Sequence, residues 1–114
     1  MLASRNFSPV RLKLACMDGK VEEIIEQIKP YNPEKIILFG SYAYGNPNKY
    51  SDVDLVIIKT TREPFGDRLK KVRMLLRTKT PVDVFVFTPK EFEGAKKSNP
   101  LIQEVVRFGK TVYG

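Results

Sequence analysis

Apolar residues recur along this chain with two spacings, one typical of helices and the other typical of buried strands. From Val21 to Ile28 they return every three or four positions, with glutamates on the opposite side. This spacing predicts a helix that begins near Lys20 and that Pro30 ends.

Three short apolar runs have the length and composition of buried strands. They are 36–39, 53–58 and 82–87. The first run ends abruptly at Gly40 and Ser41, and a polar loop separates it from the second. Aspartates interrupt the other two runs, Asp52 and Asp54 at the start of the second and Asp83 in the third.

Further helices are predicted between and after the last two strands. The first covers Phe65 to about Thr78, with an apolar stripe of Phe65, Leu69, Val72, Leu75 and Leu76. Its basic residues lie largely elsewhere; they are Arg68, Lys70, Lys71, Arg73 and Arg77. We interpret them as a solvated face, the alternative being a basic lip that meets phosphates or an acidic partner.

The C-terminal third carries helix-start and helix-stop signals. Thr88, with Glu91 three residues later, is a capping-box pattern at the start of a short helix. A last helix is predicted over 99–108, ended by Gly109, with a short edge strand over 110–113. The inward side of that helix is expected to carry Leu101, Ile102, Val105 and Val106.

This order of elements predicts an α/β (α+β) fold in which helices pack on a small mixed β-sheet. The pattern does not determine the order of the strands. We expect residues 1–18 to be an N-terminal arm, and residues 19–114 to form one domain.

Composition excludes several kinds of chemistry. The chain has no histidine and one cysteine, which removes histidine-based catalysis and an internal disulfide, and leaves carboxylates as the general bases. No apolar run is long enough to cross a membrane and no signal-peptide core is present, so a cytoplasmic location is expected.

The formal net charge of +7 favours anionic partners, such as nucleotide phosphates, nucleic acid or an acidic protein surface. The simpler interpretation is that the charge keeps a small domain in solution. Because no motif resembles a DNA- or RNA-binding element, nucleic acid is the less favoured partner.

The aspartates that interrupt the strands are the candidate catalytic and metal-binding residues. Side chains alternate between the faces of a strand, so Asp52 and Asp54 point the same way. Two adjacent carboxylates repel each other, and a divalent cation held by oxygen ligands would relieve that repulsion. Gly40 would allow backbone to approach a ligand closely, and the turn at Ser41 would direct N–H groups at a phosphate.

Gly40-Ser41, ten residues and then Asp52-Val53-Asp54 resemble the motif of the DNA polymerase β-type nucleotidyltransferases, with Asp83 as the third carboxylate. The chain is more narrowly similar to the small minimal nucleotidyltransferase (MNT) domains. Three of its five aspartates fall at that family's positions. Each feature alone also has an ordinary explanation, as a turn, a surface pair or a strand end facing water.

The resemblance implies a role for each site residue. Asp52, Asp54 and Asp83 would bind two magnesium ions, and Asp83 would also take the proton of the acceptor hydroxyl. Gly40 and Ser41 would hold the triphosphate of ATP or another nucleoside triphosphate. Family members often carry an arginine just after Gly-Ser, whereas this chain has Tyr42 and Tyr44. The phosphate-facing cation would then come from elsewhere in the chain, or the tyrosines would pack on the base or in the core.

MNT domains resembling this chain are antitoxins paired with helical HEPN proteins. The resemblance implies transfer of AMP to a tyrosine of such a HEPN ribonuclease. Because the chain ends soon after the third carboxylate, we expect the acceptor to come from a partner or from a second copy of the chain. Two alternatives stay open: a module that silences its partner by contact, and an enzyme that modifies a small molecule or an RNA end.

Overall fold

The computed structural model describes residues 19–43 and 52–114. The predicted arm, 1–18, and the loop residues Tyr44 and Gly45 lie outside the described residues. The helices are α1 (Gly19–Ile28), α2 (Phe65–Leu75), α3 (Pro89–Ala95) and α4 (Pro100–Phe108), with a 3-10 turn over Lys29–Tyr31. The strands are β1 (Lys35–Phe39), β2 (Val53–Ile58), β3 (Val82–Phe87) and β4 (Lys110–Tyr113).

The strands form a mixed sheet in the order β3-β2-β1-β4. β1 is antiparallel to both β2 and β4, whereas β2 and β3 are parallel and connected through α2. A parallel pair needs a crossover connection of this kind, because the chain must return to the same end of the sheet.

Helices cover both faces of the sheet. Two of them, α1 and α2, pack on the face that carries Ile36, Leu38, Leu55 and Val84. The other two, α3 and α4, pack on the opposite face with Ile37, Phe39, Val56 and Phe85. The result confirms the predicted α/β class, and it explains why the central strands are apolar on both sides.

Most predicted elements are confirmed, including the capping box at Thr88, whose hydroxyl accepts from Glu91 N at 3.1 Å. Helix α2 ends at Leu75, three residues earlier than predicted, and Leu76 is already extended. Two residues predicted to be inward are exposed instead, Phe65 by 42% and Val106 by 54%.

The largest departure from the predicted pattern is Arg68, placed by its charge on a solvated face. It is buried, with only 6% of its surface exposed. Its guanidinium reaches past the edge strand β3, donating to the Val86 carbonyl and to both carboxylate oxygens of Glu91 on α3. The prediction was wrong at this residue because helical periodicity does not show where a long side chain meets the free edge of a sheet.

No helix in the described part of the chain is both long and apolar enough to span a bilayer.

Candidate active site

The candidate carboxylates lie at one end of the sheet, where β2 and β3 begin and β1 ends. In the parallel pairing of these strands Asp54 is directly opposite Asp83, and in the antiparallel pairing it is opposite Phe39. Asp54 and Asp83 alternate with residues of the α1/α2 face, so both point toward the face covered by α3 and α4.

The parallel register places the side chains of Asp54 and Asp83 beside each other, on the same face of neighbouring strands. Partial burial, then the charge of Asp83 and then that of Asp52, raise the pKa of Asp54 to about 6. Asp52 and Asp83 are exposed, whereas Asp54 is half-buried. This end of the sheet therefore concentrates negative charge around Asp54.

Gly40 lies directly against this carboxylate. Its backbone has a left-handed φ of +76°, and a β-carbon added to it would overlap Oδ2 of Asp54 and lie 3.1 Å from Cγ. Glycine was predicted here to allow a ligand to approach, but the group that approaches in the structure is the side chain of Asp54. The left-handed backbone and the contact with Asp54 both exclude a side chain at position 40.

The connection that follows Gly40 begins with a turn, in which Ala43 N donates to the Gly40 carbonyl at 3.0 Å. Ser41 is half-exposed at this turn. Tyr42 is 2% exposed and packs in the core beneath α1 and α2. At the position where family members often carry an arginine, this chain therefore has a core side chain. Because Tyr42 is buried, it is not a candidate for contact with the nucleotide base or the phosphates.

The donor set suits magnesium, because Asp52, Asp54 and Asp83 offer oxygen ligands only. Within residues 19–43 and 52–114, however, no three acidic or cysteine side chains converge in a metal-binding geometry. Asp52 is near enough to raise the pKa of Asp54, although the three carboxylates do not form one metal-binding cluster within the described residues. Asp54 and Asp83 are brought together, and Asp52 stands beside them.

Glu104 of α4 was not predicted from the sequence, although its charge also raises the pKa of Asp54. Helical periodicity indicates which face of α4 is apolar, but not which residue of α4 comes nearest to the sheet end. A groove of about 730 Å³ runs along the same helix and is lined by Lys96, Gln103, Glu104, Arg107 and Phe108, among others. None of the three aspartates lines it.

Residues 19–106 match the family described as Nucleotidyltransferase domain. A protein of Methanocaldococcus jannaschii named "putative protein adenylyltransferase" is 29% identical over 97 residues, covering 76% of this chain and 96% of that protein.

The crystal structure of a "putative nucleotidyltransferase" from Sulfolobus solfataricus superposes with a TM-score of 0.56 and 20% identity. The superposition covers 99% of this chain and 91% of that one. At this identity the likeness concerns the fold alone.

Proposed function

This chain belongs to the family of nucleotidyltransferase domains, and from that premise we propose that it is an MNT antitoxin that transfers AMP from ATP to a protein hydroxyl. The acceptor we propose is a tyrosine of a HEPN ribonuclease, which the modification silences. A protein acceptor is supported by the name of the Methanocaldococcus jannaschii relative, a "putative protein adenylyltransferase". We assign the reaction to the cytoplasm, where ATP and magnesium are present.

The observation that carries the proposal is the side-by-side placement of Asp54 and Asp83 on parallel strands, with Gly40 against Asp54. Two carboxylates held this close destabilise each other unless a proton or a cation lies between them. A structural pair would gain nothing from such an arrangement, whereas a site that binds Mg-ATP uses it.

Each residue of the candidate site would have its own role in nucleotidyl transfer. Asp52, Asp54 and Asp83 would hold the magnesium ions, which when bound neutralise phosphate charge and polarise the phosphoryl oxygens. The acceptor oxygen forms a bond to the α-phosphorus, the bond from that phosphorus to the bridging oxygen of pyrophosphate breaks, and pyrophosphate leaves. The exposed carboxylate of Asp83 takes the acceptor proton.

Gly40 and Ser41 would bind the triphosphate. Gly40 leaves room for backbone to approach an anion, and the half-exposed hydroxyl of Ser41 can donate to a phosphate oxygen. Because Tyr42 is buried, the positive charge that binds the phosphates comes from the metal and from lysines or arginines elsewhere.

The experiment follows the label from ATP that is radioactive in its α-phosphate, with magnesium and the purified HEPN protein. We expect the HEPN protein to become labelled by wild type, and labelling to fall by at least about a hundredfold with Asp54→Asn or Asp83→Asn. Asp67→Asn, an exposed aspartate at the start of α2, is the matched control and should label as wild type does.

Three results would contradict the proposal in different ways. Label on RNA or on a small molecule, and not on protein, would change the acceptor. Silencing of the HEPN ribonuclease by Asp54→Asn, to the same extent as by wild type, would favour neutralisation by contact. Label transfer that persists in both variants would show that these carboxylates are not catalytic.

A further inference from the structure

The C-terminal turn of α4 lies at the same end of the sheet as the aspartates. Gly109 joins this helix to β4, and a β-carbon added to Gly109 would be 2.8 Å from a side chain of β1. The next residue, Lys110, pairs with Leu38 near the end of β1. One position further along β1, Phe39 pairs with Asp54. Because neighbouring strands are about 4.8 Å apart, roughly 10 Å of sheet separates Lys110 from Asp54.

Helix α4 also packs on the face of the sheet toward which Asp54 and Asp83 point. Its buried residues Ile102 and Val105 belong to the core on that face. Besides burial and the neighbouring aspartates, the charge of Glu104 on the same helix raises the pKa of Asp54, in agreement with this placement. The outer side of α4 is therefore a surface next to the candidate active site.

The groove of about 730 Å³ along α4 is lined by two exposed apolar side chains, Val106 and Phe108. Each of them is 54% exposed. Among the described residues only four large hydrophobic side chains are exposed, the others being Phe65 and Met74. Scattered apolar side chains on a surface need no explanation, but two that line one groove are typical of a contact surface.

Arg107 gives this groove an uncompensated positive charge. It is exposed, and its guanidinium carbon lies 6.0 Å from the centre of the Phe108 ring. Within residues 19–43 and 52–114 Arg107 forms no ion pair, whereas Lys96, which also lines the groove, pairs with Glu93 at 2.8 Å. An arginine beside an aromatic ring is a combination that is enriched where proteins bind one another.

The lining residues favour a protein as the occupant of the groove. Apolar walls that are more than half exposed cannot enclose a small molecule, as a ligand pocket does. Glu104 also lines the groove, and together with the nearby aspartates it presents negative charge that repels a nucleic-acid backbone. The exposed apolar side chains and Arg107 are instead complementary to an apolar protein segment that carries a carboxylate.

We propose that the groove along α4 docks the acceptor protein, through an apolar segment that packs on Val106 and Phe108 and whose carboxylate pairs with Arg107. This inference rests on the proposed function, because it takes the acceptor to be a protein. The short distance between the end of α4 and Asp54 allows a docked protein to present a neighbouring hydroxyl to the aspartates. The groove thus positions the acceptor, and none of its residues takes part in the chemistry.

Docking is measured apart from chemistry by calorimetry, with the purified HEPN protein titrated into the wild-type chain in the absence of ATP. We expect Phe108→Ser and Arg107→Glu each to raise the dissociation constant at least about tenfold, as the loss of central interface contacts does. The matched controls are Met74→Ser and Arg73→Glu, an exposed apolar residue and its neighbouring arginine on α2. Both controls should bind within about twofold of wild type.

Two further measurements separate docking from a general structural effect. The loss in Arg107→Glu should shrink when the salt concentration is raised to about 0.5 M, because screening weakens an exposed ion pair. In label transfer, Phe108→Ser and Arg107→Glu should raise the KM for the HEPN protein at least about tenfold, and leave the affinity for a non-hydrolysable ATP analogue within about twofold. All variants replace exposed side chains and should melt within a few degrees of wild type. If Phe108→Ser does not fold, Arg107→Glu decides the test.

The inference is overturned if wild type does not bind the HEPN protein, or if Phe108→Ser and Arg107→Glu bind it as tightly as wild type does. It is also overturned if wild type sediments as a dimer that Phe108→Ser dissociates, because a second copy of the chain then covers the groove. Binding of single-stranded RNA that Arg107→Glu abolishes would assign the groove to RNA instead.

Failure of the docking surface and failure of the proposed reaction give different results. Weakened docking in both variants, with no label transfer by wild type, would refute the proposed reaction and leave the docking surface in place. Label transfer by wild type, with unchanged docking in both variants, would refute the docking surface and leave the reaction in place.

Discussion

At the scale of single residues, Gly40 tests the carboxylate geometry most directly, because a β-carbon there would overlap Asp54. We expect Gly40→Ala to lower the free energy of unfolding by about 2–4 kcal/mol, from left-handed backbone strain and displacement of a carboxylate. Nucleotidyl transfer should fall more than tenfold, since the displaced carboxylate would no longer hold magnesium beside the phosphates. Urea unfolding and label transfer measure the two effects.

Gly94→Ala is the matched control for Gly40→Ala. Gly94 lies in helix α3, and nothing is within 4 Å of a β-carbon added there. Alanine should stabilise that helix by about 0.5–1 kcal/mol and leave activity unchanged. If Gly40→Ala behaved like Gly94→Ala, the contact between Gly40 and Asp54 would not exist in solution.

Asp54 should lower the free energy of unfolding of the metal-free protein at neutral pH. The pKa of Asp54 is raised to about 6 in the folded state, from an ordinary 3.8. Ionisation of Asp54 is therefore less favourable in the folded protein than in the unfolded chain. Stability from this group is therefore greatest below pH 4 and is lost as the pH rises through about 6. The cost at pH 7 is about 1 kcal/mol once solvent screening of a half-exposed side chain is included.

Asp54→Asn should consequently raise the free energy of unfolding by about 1 kcal/mol at pH 7 in a metal chelator, and change it little at pH 4. The same substitution at the exposed Asp67 should stay within about 0.5 kcal/mol at both values. Urea unfolding at the two pH values is the measurement. A variant that is less stable than wild type at pH 7 would show that Asp54 is favourably paired.

The sequence predicted that the candidate aspartates lie near one another, but not which atoms they contact. Strand alternation placed Asp52 and Asp54 on one side, and family resemblance added Asp83. The contact of Gly40 with Asp54 depends on the register that pairs Phe39 with Asp54, and nothing local in the sequence determines that register. The assignment of metal ligands stays a prediction.

At the scale of elements, Arg68 connects three of them. From α2 it donates to the Glu63 carbonyl at 2.8 Å, to the Val86 carbonyl of β3 at 3.2 Å and to Glu91 of α3. Arg68→Met keeps most of the apolar stem but removes these bonds. We expect the free energy of unfolding to fall by about 2–3 kcal/mol at pH 7.

The ion pair should also give this loss a pH dependence. The hydrogen bond from Arg68 is the main cause that lowers the pKa of Glu91, so its stabilisation is present above the ordinary glutamate pKa and is lost as the pH falls below it. The gap between wild type and Arg68→Met should therefore narrow below about pH 4. The control is Arg73→Met, at an exposed position of the same helix, which should change the free energy of unfolding by less than about 0.5 kcal/mol. If Arg73→Met lowered the free energy of unfolding as much as Arg68→Met, the hydrogen bonds of Arg68 would not be the cause of the loss.

Periodicity predicted the helices and strands because each one places its apolar residues on the sheet at the spacing of its own geometry. It could not supply the strand order, since the central strands are apolar on both faces and give no signal about their neighbours. The burial of Arg68 was missed for a related reason. Its partners lie on β3 and α3, far along the chain, and only the crossover brings them together.

At the scale of the whole molecule, one sheet carries two hydrophobic cores. The α1/α2 core and the α3/α4 core share the strands β1 and β2, so neither core can form without the sheet. The aspartates lie at one end of β2, and Tyr31 and Lys59 line a cleft at the other end. A rigid buried strand can carry coupling between its two ends, but only if it has two alternative arrangements.

The described structure provides no alternative arrangement for β2, which pairs without interruption with β1 and with β3. We therefore expect the two ends of β2 to respond independently, as do residues well over 10 Å apart that share no partners. The effects of Tyr31→Phe and Asp54→Asn on the free energy of unfolding should add, and the double variant should lie within about 0.5 kcal/mol of their sum, measured by urea unfolding. A larger departure from additivity would mean that β2 shifts as a unit when either end is changed.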